Sequence, residues 1–355
     1  MITTPDDPAL DRLCAALSKL DDAATDDASW PAEALARCGE AGVFRWFLPR
    51  EWGGEAWSDV DLLRGYMRLA AGSLTTTFII TQRSGACRWL AEGPDLATKE
   101  RWLPGLASGE SFATVGISHL TTSRRHLARP VLGVEEQEKG YLLDGESPWV
   151  TGGAEADLVV TGGTLADGRQ VLVAVDTSLP GVEALAPFTL VGLSGSHTGP
   201  VRFQQVRVPK QALLAGPAPN VMSSRSGSGA GGLQTSALAI GLSAVAIRKL
   251  DAEARTREDL RPACDGLSSE HRALEADLLS MAGGAGTCSS EELRTRANSL
   301  VLRATQAYLA AAKGTGYVAG HPAGRFCREA LFFLVWSCPQ GVVNATLCEL
   351  AGLSD

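Results

Sequence analysis

Apolar positions change their spacing twice along the 355 residues, which divides the chain into three regimes. From about residue 8 to 110 the period is helical: Leu10, Leu13, Leu17 and Leu20 recur at three- and four-residue steps. Trp30-Pro31-Ala32-Glu33 predicts a helix start with proline in its first turn. Residues 39–54 read as a helix end followed by a glycine-punctuated loop, and 59–72 and 75–91 as amphipathic helices. A proline and two glycines close the block between Lys99 and Glu110.

Between 111 and 217 the helical period gives way to short β-runs at 112–117, 141–143, 158–161, 171–175 and 201–208, separated by Gly, Pro and Asp. An antiparallel barrel or sandwich is the expected form. Within it, Tyr141-Leu-Leu, the turn-forming pair Asp144-Gly145 and Trp149-Val-Thr151 read as a hairpin. That reading puts an aromatic ring and a hydroxyl on one face, two residues apart, suited to a planar ligand with a polar edge. An ordinary buried Trp is the alternative. The polar run 223–232 reads as a flexible connection. Helical spacing resumes near Leu233: 237–247 is apolar all round, and Leu293, Ala297, Leu300, Val301, Ala304, Tyr308 and Ala311 form one stripe. The fold expected is therefore α+β and multidomain: a helical N-terminal domain (1–110), a β-domain (111–217) and a C-terminal helical bundle (218–355).

Composition narrows the function classes. Hydrophobic content of 45% and charged content of 20% are those of a soluble globular protein. A formal net charge of −8 argues against nucleic acid and anionic membranes as partners. The apolar run 330–336 is too short to span a bilayer. The first residues lack a basic region and an apolar signal core, which points to a cytoplasmic protein. Eight cysteines without a Cys-x-x-Cys pair support neither a zinc site nor a disulfide framework.

Several stretches, taken in order, resemble the acyl-CoA dehydrogenase family over nearly the whole chain. Residues 42–54 are similar to its Gly-Leu…Pro-x-Glu-Tyr-Gly-Gly segment, and 103–110 to its Leu-Pro-x-Leu-Ala-Ser-Gly-Glu. Residues 141–151 resemble Tyr-x-Leu-Asn-Gly…Trp-Ile-Thr; 195–209 resemble Gly-Ser-x-Thr…Val-x-Val-Pro. Gly314-Thr-Gly, Pro322 and Arg328-Glu-Ala resemble a third group of motifs near the C-terminus. The resemblance implies FAD between the β-domain and the C-terminal helices, with Trp149 against the isoalloxazine ring. It implies hydrogen bonds to the flavin N5 edge from Thr151 and Ser118, and a contact from Gly314 to the FAD of a neighbouring subunit. A homodimer or homotetramer, an acyl-CoA or similar substrate and an electron-transfer partner are implied with it.

The chain departs from the family at its chemistry. α,β-Dehydrogenation needs a carboxylate to take the acyl α-proton while the flavin takes the β-hydride. The usual glutamate position is held by Ser337, and the alternative position, in 231–234, also lacks a carboxylate. Glu329, His321 and His119 remain candidate bases, each with a structural role as the alternative. The glutamine of the family's Gln-x-x-Gly-Gly segment is lost, and its first glycine is Lys313. Lys313 or Arg257 is a candidate for a pyrophosphate contact, and Arg124 and Arg125 for an anionic ligand such as a CoA phosphate; a solvated surface charge is the alternative for each. Three functions follow. The first is a flavoenzyme acting on CH–CH groups with another base. The second is a flavin-dependent oxygenase, for which polar Ser118, Ser337 and Cys338 would suit the lining. The third is a non-catalytic member that binds acyl-CoA or a partner.

Overall fold

A computed structural model describes residues 1–24, 28–121, 130–224, 229–286 and 288–353, with side chains described outside 224–231. The first block holds α1 (Pro8–Ala23), α2 (Ala32–Glu40), α3 (Asp59–Gly72), α4 (Leu74–Glu92) and α5 (Leu96–Ser108). Side-chain oxygens of Asp7, Ser58, Ser73 and Asp95 accept from early backbone amides of α1, α3, α4 and α5, satisfying donors that a helix start leaves open. Arg83 of α4 is buried, with no carboxylate partner among the described residues. It donates to the carbonyls of Leu106 and Ser111, and its guanidinium lies 3.9 Å from the Phe44 ring centroid. Burial pushes its pKa down.

Strands β1 (Ala113–Gly116), β2 (Leu132–Gln137), β3 (Gly140–Val150), β4 (Leu158–Thr164), β5 (Gln170–Asp176), β6 (Val182–Ala184), β7 (Gly199–Pro209) and β8 (Leu213–Ala218) form one sheet, and the single turn α6 (Ser118–Thr121) follows β1. Their order is β6-β7-β3-β2-β4-β5-β8, with β1 on β4. Two corrections to the expected antiparallel barrel or sandwich follow. The β1–β4 and β2–β4 pairings are parallel, and among the described residues the path ends at β6 and β8 without closing. The helical–β–helical order itself is as expected.

The expected hairpin over 141–151 is also corrected. β3 runs straight through Asp144-Gly145, and the reversal lies between β2 and β3. Asp144 instead lies opposite a bulge in β7: Gln204 and Gln205 face it between the Leu143–Val206 and Gly145–Phe203 pairs, and its Oδ1 accepts from the Gln205 amide at 3.2 Å. Gly145 has φ +135°, and a Cβ there would sit 2.2 Å from the Val131 carbonyl.

The C-terminal helices are α7 (Gly229–Ala254), α8 (Arg261–Ala282), α9 (Ser290–Gly316), α10 (Pro322–Ala330), α11 (Phe332–Val335) and α12 (Gln340–Leu350). As its apolar circumference requires, α7 is the buried helix, packed against α3, α8 and α9. Gly241 lets α3 approach: a Cβ would lie 2.4 Å from the Met67 carbonyl. Arg325 of α10 reaches Asp21 at 2.7 Å and Asp22 at 2.6 Å, tying α10 to α1. Among the described residues no helix is long and apolar enough to cross a membrane.

Candidate functional site

Where α4, the sheet and the C-terminal helices meet, they leave a cavity of about 580 Å³. Helix α4 supplies Phe78, Thr81, Gln82, Gly85, Arg88 and Trp89, the spacing of one helix face. At 1.5 Å per residue that wall is about 16 Å long. Val115, Ile117 and Ser118 come from the end of β1 and the start of α6, Trp149 from β3, and Gln234, Thr235 and Leu238 from α7. Phe332, Trp336 and Ser337 close it from α11 and the residues after it.

That last wall is built by aromatic packing on a polar support. The Phe78 ring meets Phe332 at 4.9 Å and Trp336 at 4.8 Å, both edge-on, and Phe332 stacks on Trp336 at 5.4 Å. Beneath them Asn298 donates to the Phe333 carbonyl at 2.9 Å and Arg294 to the Trp336 carbonyl at 3.1 Å. Burial lowers the Arg294 pKa to about 10. The next residue, Ser337, is held at φ +44°, a left-handed backbone that costs a non-glycine residue about 1–2 kcal/mol.

Three of the sequence-derived site residues, Ser118, Trp149 and Ser337, therefore share one cavity. Ser118 Oγ is buried and has no hydrogen-bond partner among the described residues. The Trp149 ring is half-buried and lies 4.9 Å from the Phe188 ring. Thr151 is not among the lining residues; its hydroxyl is buried against Thr198 at 2.9 Å. β3 ends at Val150 after a register shift beyond Ser147, so strict alternation does not carry from Trp149 to Thr151. Gly314 is exposed at the end of α9, just past a kink at Lys313 (φ +54°), where an added Cβ would meet nothing within 4 Å.

No Asp, Glu or His is among the cavity's described lining residues. Glu329 is buried but lines a separate hollow of about 250 Å³ with Asp21 and Arg325. His321 caps α10, its Nδ1 accepting from the Ala323 amide at 3.1 Å. His119 bonds the Gly162 carbonyl through Nε2 at 2.7 Å, and burial lowers its pKa. Arg257 donates to the Ala311 carbonyl at 2.5 Å, which fixes it to the end of α9. Cys338 is not among the lining residues, and burial raises its thiol pKa. Arg124 and Arg125 lie outside the described residues. No group of three or more potential metal ligands occurs among the described residues.

Sequence comparison matches residues 13–110 to the acyl-CoA dehydrogenase N-terminal domain. A probable acyl-CoA dehydrogenase of Bacillus subtilis, YngJ, is 24% identical over 236 residues, which is 64% of this chain and 62% of that relative. The structure of a glutaryl-CoA dehydrogenase in complex with glutaryl-CoA superimposes with a TM-score of 0.83 at 18% identity, covering 98% of this chain and 96% of the other. Residues 13–110 thus match an acyl-CoA dehydrogenase N-terminal domain, and the chain as a whole has the acyl-CoA dehydrogenase fold. Its fold is shared with KijD3, solved with FMN and a dTDP-amino-keto-sugar, at TM-score 0.79 and 19% identity over 100% and 98% of the two chains. The acyl-CoA dehydrogenase fold thus places this chain's cavity between the helical block, the sheet and the C-terminal helices.

The residues that sequence reading missed are mainly on α4. Thr81, Gln82, Gly85 and Arg88 fall on one face of a helix that is otherwise largely buried. Small and polar residues at helical spacing within an apolar helix were the available signal.

Proposed function

We propose that this chain is a flavin-dependent oxidoreductase whose reaction does not begin with removal of an acyl α-proton by a carboxylate. One observation carries the reading: Ser118, Trp149 and Ser337 line one cavity that has no carboxylate or imidazole among its described lining residues. The cavity suits a flavin ring in three respects. Its volume lies in the range of small-molecule sites, Trp149 offers an aromatic surface, and the buried Ser118 hydroxyl lacks a partner. An unsatisfied buried hydroxyl is costly, and an acceptor edge on the ligand would satisfy it. FAD is the flavin that the family resemblance implies. When bound, a flavin supplies hydride acceptance or oxygen activation.

The chain's own part is to bind, orient and exclude water. Ser118 donates to the ligand's edge, Trp149 covers its ring, and Phe78, Phe332 and Trp336 keep that end of the cavity dry. Ser337 is no substitute for a glutamate, because a serine hydroxyl does not deprotonate a weak carbon acid at neutral pH. A flavin-dependent oxygenase is the form of this function that the missing base favours. The substrate is an acyl-CoA or similar small molecule, with a reductase or electron-transfer protein as redox partner. The competing reading is a non-catalytic member that binds acyl-CoA or a partner, favoured by Lys313 at the position of a family glycine.

The visible spectrum and an acyl-CoA panel with an artificial electron acceptor test this together. Bound flavin, reduced by an external reductase and not by acyl-CoA under anaerobic conditions, is the expected result. Rapid bleaching by acyl-CoA would restore conventional dehydrogenation, and no flavin at any loading would favour the non-catalytic reading. A gain of acyl-CoA turnover in Ser337→Glu would locate the loss of the base.

Assembly belongs to the same proposal. Val335, Leu347, Leu350 and Leu353 are exposed on and around α11 and α12, apolar surface of the kind that subunits cover. We expect a symmetric homodimer or homotetramer. A single-chain mass at micromolar concentration in the ultracentrifuge would count against it.

A further inference from the structure

Arg88 is the one charged side chain among the cavity's described lining residues. It is ten residues beyond Phe78 on the same face of α4, about 15 Å along the helix from the Phe332–Trp336 wall. The other described lining residues are neutral, among them Gln82 and Trp89 on α4 and Gln234 and Thr235 on α7. One contact offsets its charge, from Nη2 to Asp59 Oδ1 at 3.1 Å, and that carboxylate sits outside the cavity lining in the first turn of α3. The contact is single. Nε and Nη1 make no hydrogen bond among the described residues and are not sealed from solvent. A guanidinium that keeps donors open in a cavity without internal carboxylates is suited to a planar or tetrahedral anion.

We propose that the substrate carries an anionic group, a carboxylate or a phosphate, and that Arg88 binds it at the far end of the α4 wall from Trp336. The inference rests on this cavity being the substrate's site, as the proposed function has it, and deepens that reading by naming the substrate's charge. The anion would come either from the acyl portion or from a phosphorylated carrier arm, and the shared chemistry is an oxyanion about 15 Å from the aromatic wall. Arg88 then sets specificity: a neutral substrate of equal length leaves its donors to water, whereas an anionic one gains a charge-assisted hydrogen bond.

Calorimetric titration with three probes tests this on the protein as purified. Hexanoyl-pantetheine is neutral, adipoyl-pantetheine carries a terminal carboxylate, and hexanoyl-4′-phosphopantetheine carries a phosphate on its arm. At least one anionic probe is expected to bind on the order of tenfold more tightly than the neutral one, the scale of a partly exposed charge-assisted bond. Arg88→Gln should erase that ratio and leave neutral binding within about twofold. A gain confined to the adipoyl probe places the anion on the acyl portion, and one confined to the phosphorylated probe places it on the arm. Equal affinity for all three probes, no binding of any, or a gain that survives Arg88→Gln would overturn the proposal. If Arg88→Gln does not fold, Asp59→Asn carries the test: freeing the guanidinium should raise the ratio, and an unchanged or lower ratio counts against it. Flavin content is read separately from the visible spectrum, so a protein that binds the anionic probe without flavin would sink the proposed function and leave this inference standing.

Discussion

Arg294 donates through Nε to Asn298 Oδ1 at 2.9 Å, one turn along the buried face of α9. Arg294 then donates through Nη2 to the Trp336 carbonyl, and Asn298 donates through Nδ2 to the Phe333 carbonyl, both on the cavity wall. The pair is therefore a bracket that holds the α11 turn, and with it the aromatic wall and Ser337, against the bundle.

Asn298→Ala should release that turn. It leaves the Phe333 carbonyl and the Arg294 guanidinium each short of a partner in a buried setting, worth about 1–3 kcal/mol. Denaturant unfolding should show a lower midpoint, and limited proteolysis should cut first near residues 332–337. An unchanged midpoint would mean that the wall stands without the bracket.

Ser337 offers a test of stored backbone strain. At φ +44° glycine is free of the steric cost and a β-branched residue bears more of it. Ser337→Gly should be at least as stable as the wild type, and Ser337→Val less stable by about 2 kcal/mol. The reverse order in thermal unfolding would show that the left-handed turn is not populated in solution.

Ser118→Ala should act in opposite directions on stability and binding. Removing a buried hydroxyl that has no partner stabilises the flavin-free protein or leaves it unchanged. The same change should weaken flavin retention on dilution by roughly tenfold, the size of one lost hydrogen bond. Loss of stability without loss of flavin would assign Ser118 to the fold alone.

His119 should make stability depend on pH. Burial lowers its pKa in the folded protein below the ordinary 6.5. The unfolded chain then takes up the proton first, so stability is complete above about 6.5 and falls as pH drops from there toward the folded value. Protonation would put a second N–H at Nδ1, which is buried without a partner, while Nε2 holds the Gly162 carbonyl. His119→Gln should flatten the pH dependence of the denaturation midpoint between 7.5 and 5.5, and an identical slope in wild type and variant would exclude this residue as its source.

Periodicity made the helical–β–helical order legible in the sequence, because burial of one face imposes a fixed spacing on apolar residues whatever the partner surface is. The buried helix over 237–247 and the stripe on α9 follow from the same constraint. So did the missing carboxylates, which are a matter of residue identity: Ser337 and Gln234 both face the cavity, and neither is acidic. Local spacing did not reveal pairings between distant segments. Asp144-Gly145 has turn chemistry, yet β3 runs straight through it, paired with β7 on both sides of a bulge that lies in β7. The parallel β1–β4 and β2–β4 pairings and the unclosed sheet depend on strands separated by tens of residues. Only packing decided that Trp149 borders the cavity while Thr151 bonds Thr198, because a single register shift separates them. Glu329 is close to Ser337 in sequence but is buried facing another hollow, and Arg88, distant in sequence, supplies the cavity's charge. A helix fixes neighbours at three and four residues; which face meets which cavity is set by the three layers packing together.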